Sequence, residues 1–499
     1  MPDLDQDDVL AAPELAARVR RGLSWSFVST VAARSGGLLS GIVLARVLSP
    51  ADFGVFAVAL VVLVLLSNLN DLGVEQTLVR WPGSLRQVAP TASTVIFGFS
   101  FLLFLAFFLA APAISRELGA PEASGIIRLL SVGLLINGVA AVPSALLTRS
   151  FAQDKKTYAD LTGFVVGTGL TIVLALLGLG AWSLAWGRLV GNAINSGMQI
   201  RFAPVRYRPG WSPAVARQLL RSGTPLAGAT IVAILVVNID NLVIGRELGP
   251  VALGLYVLAF NLSGWPYNLF SKTVAKVSVA GFAAMQHDRP ALQAAFARSL
   301  ALMIAVSAPL CVLLALLAEP AVRFLYGSTW VPAAAALVAL AVYGLVRVVL
   351  QLTFELLIAV GRSRLALWLQ GLWLVVLVPA VLIGANTSGI RGVATAHAVV
   401  ALAIMVPAFT ISLWRMGFSV RALAAGLARP LIGLPLVAVG PLLATRLLNG
   451  DLLVLAAGGL LGLMAYLPVV WPLLPRARRD RLLARVPGAG RLRPTTSQG

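Results

Sequence analysis

Apolar residues fill fourteen long windows of this chain, and polar residues gather in the short stretches between them. Each window is long enough to cross roughly 30 Å of hydrocarbon as a helix, which satisfies its backbone polar groups within the segment. The pattern therefore predicts an all-α integral membrane protein with about fourteen transmembrane helices. Their predicted limits are 23–48, 53–72, 89–112, 123–146, 157–177, 182–200, 223–245, 251–271, 297–318, 331–358, 365–385, 389–413, 426–448 and 452–474.

A segment near the start of the chain, residues 42–59, recurs as residues 242–259. Six positions are identical, namely Val43/Val243, Arg46/Arg246, Leu48/Leu248, Pro50/Pro250, Gly54/Gly254 and Ala59/Ala259. Because six predicted helices separate the copies, both enter the membrane in the same direction. The repeat is therefore parallel, about an axis along the membrane normal, and predicts two pseudo-symmetric six-helix lobes with a substrate site at their interface.

A proline- and arginine-rich stretch, residues 201–222, interrupts the apolar pattern and predicts a linker between the lobes. Residues 212–220 have helical apolar spacing, so we expect an amphipathic helix on the cytoplasmic face. The predicted organisation is a cytoplasmic tail (1–22), a first lobe (23–200), this linker (201–222), a second lobe (223–415), two extra helices (416–474) and a basic cytoplasmic tail (475–499).

The composition, 59% hydrophobic and 12% charged, is typical of a membrane protein, and the net charge is +20. With the amino terminus in the cytoplasm, twenty-nine of the 39 Lys and Arg residues fall in cytoplasmic stretches, six on the outer side and four inside helices. This bias follows the positive-inside rule and predicts that both termini are cytoplasmic. The basic residues are expected to contact membrane lipids, and no nucleic-acid partner is expected.

Polar residues share one face of the predicted sixth helix. Arg188, Asn192, Asn195 and Gln199 fall at helical spacing along a narrow stripe, which is not expected to face lipid. Helix–helix hydrogen bonding explains such a stripe. A water-filled cavity explains it better, because the stripe is three turns long and includes an arginine.

The predicted tenth helix carries a second polar stripe, Arg347, Gln351 and Glu355. Arg347 and Glu355 are separated by about 12 Å of helix rise, so Gln351 or a water molecule is needed to bridge them. Glu355 is the best candidate for a protonation-linked site. A purely structural network remains the alternative.

Two further arginines and two acids complete the candidate residues. Arg34 is expected to line a cavity or to pair with an acid, and Arg128 either binds substrate or extends to the outer surface. Asp240 is a candidate for ion coupling. Asp71 is a candidate for a cytoplasmic gate, although pairing with neighbouring basic residues is the default role of both Asp71 and Asp160.

Several classes of chemistry find no support in the sequence. The two histidines, His287 and His397, and the single Cys311 have no metal-binding spacing, so neither a metal nor a cofactor is expected. No GxxxxGK[ST] loop and no nucleophilic Ser/His/Asp grouping occur. The chain is therefore not expected to be an enzyme.

Two blocks of this chain resemble the bacterial Wzx-type oligosaccharide flippases, the polysaccharide-transporter branch of the multidrug/oligosaccharidyl-lipid/polysaccharide (MOP) exporter superfamily. The first block, similar to the first two helices of that family, is LARVLSPADFGVFAVALVVLVLLSNLNDLGVEQTLVR (44–80). The second, similar to the seventh and eighth, is RSGTPLAGATIVAILVVNIDNLVIGRELGPVALGLYVLAFNL (221–262). The resemblance implies two six-helix lobes in a V shape that work by alternating access.

By this resemblance the substrate is an undecaprenyl-diphosphate-linked oligosaccharide, flipped across the bacterial cytoplasmic (inner) membrane for exopolysaccharide, capsule or O-antigen assembly. The arginines of this protein are expected to bind the diphosphate of such a substrate, and its side-chain amides are expected to bind the sugar hydroxyls. A polysaccharide polymerase and co-polymerase are candidate partners. A lipid II flippase, a cation-coupled multidrug exporter and a membrane glycosyltransferase or polymerase are the alternatives.

Overall fold

The computed structural model of this 499-residue chain describes residues 36–70, 77–78, 81, 85–150, 152–205, 207–265 and 281–470. Within those ranges it describes the backbone but not the side chains of residues 65, 68, 69, 85, 86 and 220–237. Every regular element in the described ranges is a helix, so the predicted all-α class is confirmed.

Each predicted span falls at least in part on a helix of the described residues. The helices are α1 (36–47), α2 (Pro50–Asn70), α3 (Leu85–Glu117), α4 (Ala123–Arg149), α5 (Gln153–Leu176), α6 (Ala181–Phe202), α7 (213–248), α8 (250–263), α9 (Arg289–Leu316), α10 (Ala333–Ala359), α11 (363–387), α12 (390–415), α13 (420–447) and α14 (Asp451–Val470). A short helix, Ala318–Tyr326, precedes α10.

Glycines with a positive φ interrupt two helical stretches that are otherwise continuous. The backbone between α7 and α8 leaves the helical conformation at Gly249, where φ is 82°. Gly389, with φ 58°, lies between α11 and α12. A side chain disfavours this left-handed region, so glycine permits both turns.

Side-chain caps mark the starts of two helices that begin before their apolar windows do. α9 starts at Arg289 rather than 297, because the Asp288 carboxylate accepts a 3.0 Å hydrogen bond from the Ala291 amide. α13 starts at Val420 rather than 426, and Ser419 caps it through the Ala422 amide. These first turns contain polar residues, which an apolar criterion excludes but capping residues mark.

Nine helical stretches of the described residues are long and apolar enough to cross a membrane, and one of them, Ser363–Arg415, contains both α11 and α12. Shorter apolar helices occur at Gly36–Val47 and Pro50–Val64. α6 is not among the nine, because Arg188 and its amide residues lower its hydropathy. A polar helix of this kind must be shielded from lipid by its neighbours.

The structure divides into two compact units. Unit 1 contains Met1–Leu258, Leu325–Ala333 and Leu374–Val393, and unit 2 contains Ala259–Phe324, Ala334–Trp373 and Ala394–Gly499. The core of unit 2 includes the fully buried residues Phe296, Val348 and Leu352. The lobe boundaries at 23–200 and 223–415 stay a prediction.

The linker packs against the ends of α3 and α4 in unit 1. Leu219 is fully buried in a cluster with Ile96 and Leu146, and Tyr207 packs against the same cluster. Burial raises the pKa of the Tyr207 phenol to about 12. The helix expected over 212–220 is not a separate element, because it continues into α7 from Pro213.

The two copies of the sequence repeat contact each other within unit 1. A Cβ added at Gly54 would overlap the carbonyl of Pro250, and one added at Gly254 would overlap the carbonyl of Pro50. Each contact is the counterpart of the other, which is the signature of a local two-fold relation. We call this contact of Pro50, Gly54, Pro250 and Gly254 the repeat junction.

Neighbouring contacts reinforce the repeat junction. Trp330 is 1% exposed, donates a 2.8 Å hydrogen bond from its indole to the Ala45 carbonyl, and meets the Phe53 ring edge-on at 5.1 Å. A charged contact joins Arg246 to Glu117 at 3.8 Å on the exposed side. The identical glycines and prolines of the repeat are therefore explained by close backbone packing.

Gly54→Ala and Gly254→Ala are each expected to destabilise the protein by about 1–3 kcal/mol, because a methyl group has no space at the junction. Thermal unfolding of the purified protein in detergent measures the effect. Gly98→Ala is the matched control, since no atom lies within 4 Å of an added Cβ at that helical position. A midpoint for the junction variants equal to that of the control would contradict the packing argument.

Candidate functional site

α5 and α6 pack with their backbones in contact, and glycines on both helices permit it. A Cβ added at Gly191 would lie 2.7 Å from the Gly163 carbonyl oxygen, and one at Gly167 would lie 2.7 Å from the Gly187 carbonyl oxygen. Small residues at such interfaces let membrane helices approach closely. This contact places the polar stripe of α6 beside polar residues of α5.

Unit 1 contains a cavity of about 420 Å³ with a mixed polar and apolar lining from α1, α2, α4, α5 and α6, which we call the α6 cavity. Its polar lining residues are Ser40, Ser67, Asn137, Asp160, Thr168, Thr171, Arg188, Asn192 and Asn195. A second space of about 230 Å³ shares Ser67, Asn137, Asn192 and Asn195 with it and also includes Asn70, Ser144, Ser196 and Gln199. The predicted α6 stripe thus lines these two spaces along its length.

The lower part of the stripe forms a hydrogen-bond chain. Gln199 donates from Nε2 to the side-chain oxygen of Asn195, and Asn195 donates from Nδ2 to Oδ1 of Asp160 at 2.8 Å. Gln199 is 8% exposed, so its amide is held firmly. Hydrogen bonding along α6 and to α5 therefore occurs together with a cavity, and the two interpretations of the stripe are not exclusive.

Arg188 is the basic residue of the α6 cavity. Its side chain is accessible and makes no hydrogen bond or ion pair with any residue that the structure describes. A guanidinium offers five N–H donors and is always charged, so it favours a phosphate or carboxylate group. The site therefore has the capacity to bind an anion.

Arg128 is not among the residues that line these two spaces. Its Nε donates to the Phe108 carbonyl at 3.1 Å, and the guanidinium lies 5.3 Å from the centre of the Phe108 ring. Both contacts are to α3, and they account for part of its hydrogen-bonding capacity. A substrate role for Arg128 stays a prediction.

The second polar stripe lies in unit 2. Gln351 donates from Nε2 to Glu355 Oε1 at 2.9 Å, and the guanidinium of Arg347 lies 5.9 Å from the centre of the Phe260 ring. His397, which is 3% exposed, packs between the rings of Phe260 and Tyr343. Gln351 thus makes the hydrogen bond to Glu355 that a bridge between Glu355 and Arg347 would require.

Asp240 is buried rather than exposed to a cavity in unit 1. It is 1% exposed, and its carboxylate accepts 2.8 Å hydrogen bonds from the Tyr256 hydroxyl and the Asn241 amide. Its role in ion coupling stays a prediction. Arg34 and Asp71 lie outside the described residues.

The structure adds cavity residues that the sequence did not single out for this site. Asn137 and Ser67 line both spaces, and Asp160, expected only to pair with neighbouring basic residues, lines the larger one. A lone Asn within an apolar helix is the signal that marks Asn137. Among the described residues, no group of His, Cys, Asp and Glu has the arrangement of a metal site.

Comparisons with known proteins identify relatives across most of the chain. A family model described as "polysaccharide biosynthesis protein" matches residues 43–335. The lipopolysaccharide biosynthesis protein WzxC of Escherichia coli (strain K12) is 26% identical over 378 residues, which are 74% of this chain and 76% of that protein. The succinoglycan biosynthesis transport protein ExoT of Rhizobium meliloti (strain 1021) is 29% identical over 318 residues, 63% of this chain and 64% of that protein.

Solved structures with the same fold are membrane transporters. The lipid II flippase MurJ in an inward closed conformation has a TM-score of 0.76 at 16% identity, covering 92% of this chain and 100% of that one. An inward-facing MATE family transporter of the MOP superfamily has a TM-score of 0.62 at 19% identity, covering 77% and 94%. These identities establish the fold alone, whereas the family model spans more than half of the sequence. The chain therefore belongs to the polysaccharide biosynthesis protein family and has the fold of MOP superfamily transporters.

Proposed function

We propose that this protein flips undecaprenyl-diphosphate-linked oligosaccharide repeat units across the cytoplasmic membrane for surface polysaccharide assembly, and that it is a transporter rather than an enzyme. The observation that carries the proposal is Arg188, a cation without a described partner in a cavity whose other polar lining groups are amides, hydroxyls and one carboxylate. A diphosphate satisfies the guanidinium through charge-assisted hydrogen bonds. Sugar hydroxyls satisfy Asn137, Asn192 and Asn195.

Family membership and the polysaccharide pathways named for the relatives support this substrate class. We extend the proposal to a location in the inner membrane with both termini cytoplasmic, and to a polysaccharide polymerase and co-polymerase as partners. We further propose that Arg34 and Arg347 contribute to an arginine-lined cavity. Proton or sodium exchange at Glu355 or Asp240, with Asp71 at a cytoplasmic gate, or the membrane potential acting on the anionic head, supplies the energy.

A cation-coupled drug exporter is the second candidate, and Asp160 is the observation that favours it. An accessible carboxylate in the α6 cavity is able to bind a proton or a cationic drug. A lipid II flippase is chemically closer, because its substrate also carries sugars on a lipid diphosphate. The three functions differ in the phenotype that follows loss of the protein.

Loss of the gene is expected to abolish one surface polysaccharide and to leave lipid-linked repeat units facing the cytoplasm. Immunoblotting of the surface polymer and leaflet-specific labelling of lipid-linked sugars measure both effects. Normal polymer with raised drug sensitivity would favour the exporter. Arrested peptidoglycan synthesis would favour the lipid II flippase.

Arg188→Ala is expected to lower polymer export about tenfold or more at equal protein level, because it removes charged hydrogen bonds to the diphosphate. Complementation of the deletion strain measures export. Arg201→Ala is the matched control, since Arg201 is an exposed arginine of the same helix outside the lining of both spaces. Full export by the Arg188 variant would refute the proposed anion site.

The charge distribution assigns the repeat junction to the outer side of the membrane. In an alternating-access cycle substrate leaves on that side, so the two halves of the junction must separate. Cysteines at Glu117 and Arg246, in a Cys311→Ser background, are close enough and exposed enough for a short reversible thiol cross-linker. We expect cross-linking to stop export and reductant to restore it, with the single-cysteine variants as controls. Undiminished export by fully cross-linked protein would contradict opening at this junction.

A further inference from the structure

The role of Asp160 in the α6 cavity is not explained by an ion pair. Its carboxylate is accessible, and it makes no ion pair with any residue that the structure describes. Lys156, one turn earlier on α5, attracts the Asp160 carboxylate electrostatically, but its hydrogen bonds go to the hydroxyls of Ser144 at 2.9 Å and Thr148 at 3.3 Å. The ammonium group of Lys156 is therefore held by α4 and does not occupy the acceptor positions of Asp160.

The orientation of the Asp160 carboxylate is set by its neighbours on α6. Because the Asn195 oxygen accepts from Gln199, its Nδ2 is directed at Asp160 Oδ1. A carboxylate has about four acceptor positions on its two oxygens, so most of them stay available to a ligand. The arrangement is a fixed set of hydrogen-bond acceptors beside an amide donor.

Arg188 and Asn195 lie at different levels of the same cavity. Seven residues separate them, which corresponds to a helix rise of about 10 Å. Asn195 and Asp160 lie toward the end of α6 that the charge distribution assigns to the cytoplasm. The cavity therefore has a cationic level and, nearer the cytoplasm, a level that accepts hydrogen bonds.

We propose that Asp160 and Asn195 form a sugar subsite that lets the protein distinguish a loaded lipid carrier from an empty one. This inference rests on the proposed function, because the diphosphate occupies Arg188 and the first sugars occupy the Asp160 level. Hydroxyl groups donate to the carboxylate and gain charge-assisted hydrogen bonds. A phosphate at the same level is mostly deprotonated at neutral pH, so it seldom donates a proton, and the like charge repels it.

The consequence is selectivity for the loaded carrier over the empty one. A carrier that bears sugars satisfies both levels of the cavity, whereas the bare diphosphate gains only the Arg188 contacts and meets an anion beyond them. Binding of the empty carrier is thereby disfavoured, and the transporter avoids carrying it in place of the substrate.

The test uses the full-length protein in lipid nanodiscs and two probes, undecaprenyl diphosphate and undecaprenyl diphosphate bearing one glucose or galactose. Asp160→Ala is expected to weaken binding of the glycosylated probe about tenfold while binding of the bare diphosphate stays equal or tightens. Asp160→Asn, which keeps the shape and an acceptor oxygen, is expected to tighten binding of the bare diphosphate. The preference for the glycosylated probe over the bare one should therefore become smaller. Asp154→Asn, an exposed acid in the first turn of the same helix, is the control.

Arg188→Ala is expected to weaken both probes together. An Asp160→Ala variant that affects the two probes equally, or neither, would overturn the sugar subsite and leave the proposed function intact. Failure of the wild-type protein to bind either probe would overturn both. Thermal unfolding of each variant separates a loss of binding from a loss of folding.

Discussion

The backbone contact between α5 and α6 is the constraint on which the candidate site depends. α6 carries an arginine, two asparagines and a glutamine on one face, and a charged side chain at the centre of the hydrocarbon costs roughly 2.5–3.5 kcal/mol. The glycines at 163, 167, 187 and 191 let α5 approach until it covers the edge of that face. A larger residue at these positions would separate the helices and withdraw Asp160 from Asn195. The same glycines therefore shield the polar helix and assemble the cavity.

The sequence repeat is explained by a different close contact. Its identical glycines and prolines meet across the repeat junction, where any Cβ at Gly54 or Gly254 would overlap a carbonyl. Selection for backbone proximity thus retains these residues in both copies. Positions away from the junction have diverged, so that Ser40 corresponds to Asp240, which is buried against Tyr256. The two copies thus share their packing residues and differ in their polar residues, as expected of a duplicated segment.

Periodicity in the sequence predicted the helices and the α6 stripe, because hydropathy reports which face of a helix avoids lipid. It did not predict the partners of those faces. Asp160 was expected to pair with a neighbouring base, and Lys156 does attract it electrostatically, but its hydrogen bond comes from Asn195, 35 residues away. Arg128 was a candidate ligand, and it contacts Phe108 of α3. Partners are set by tertiary packing, which spacing along one helix does not contain.

Two opposite charges, Arg188 and Asp160, occupy one cavity without forming an ion pair. Arg188 lies two turns along α6 from Asn195, the residue that binds Asp160, which is a helix rise of about 10 Å. Each group therefore keeps most of the cost of its own partial desolvation. A ligand with an anionic end and a hydroxyl-bearing end relieves both costs at once, so an empty cavity of this kind is poised to bind a molecule with that polarity.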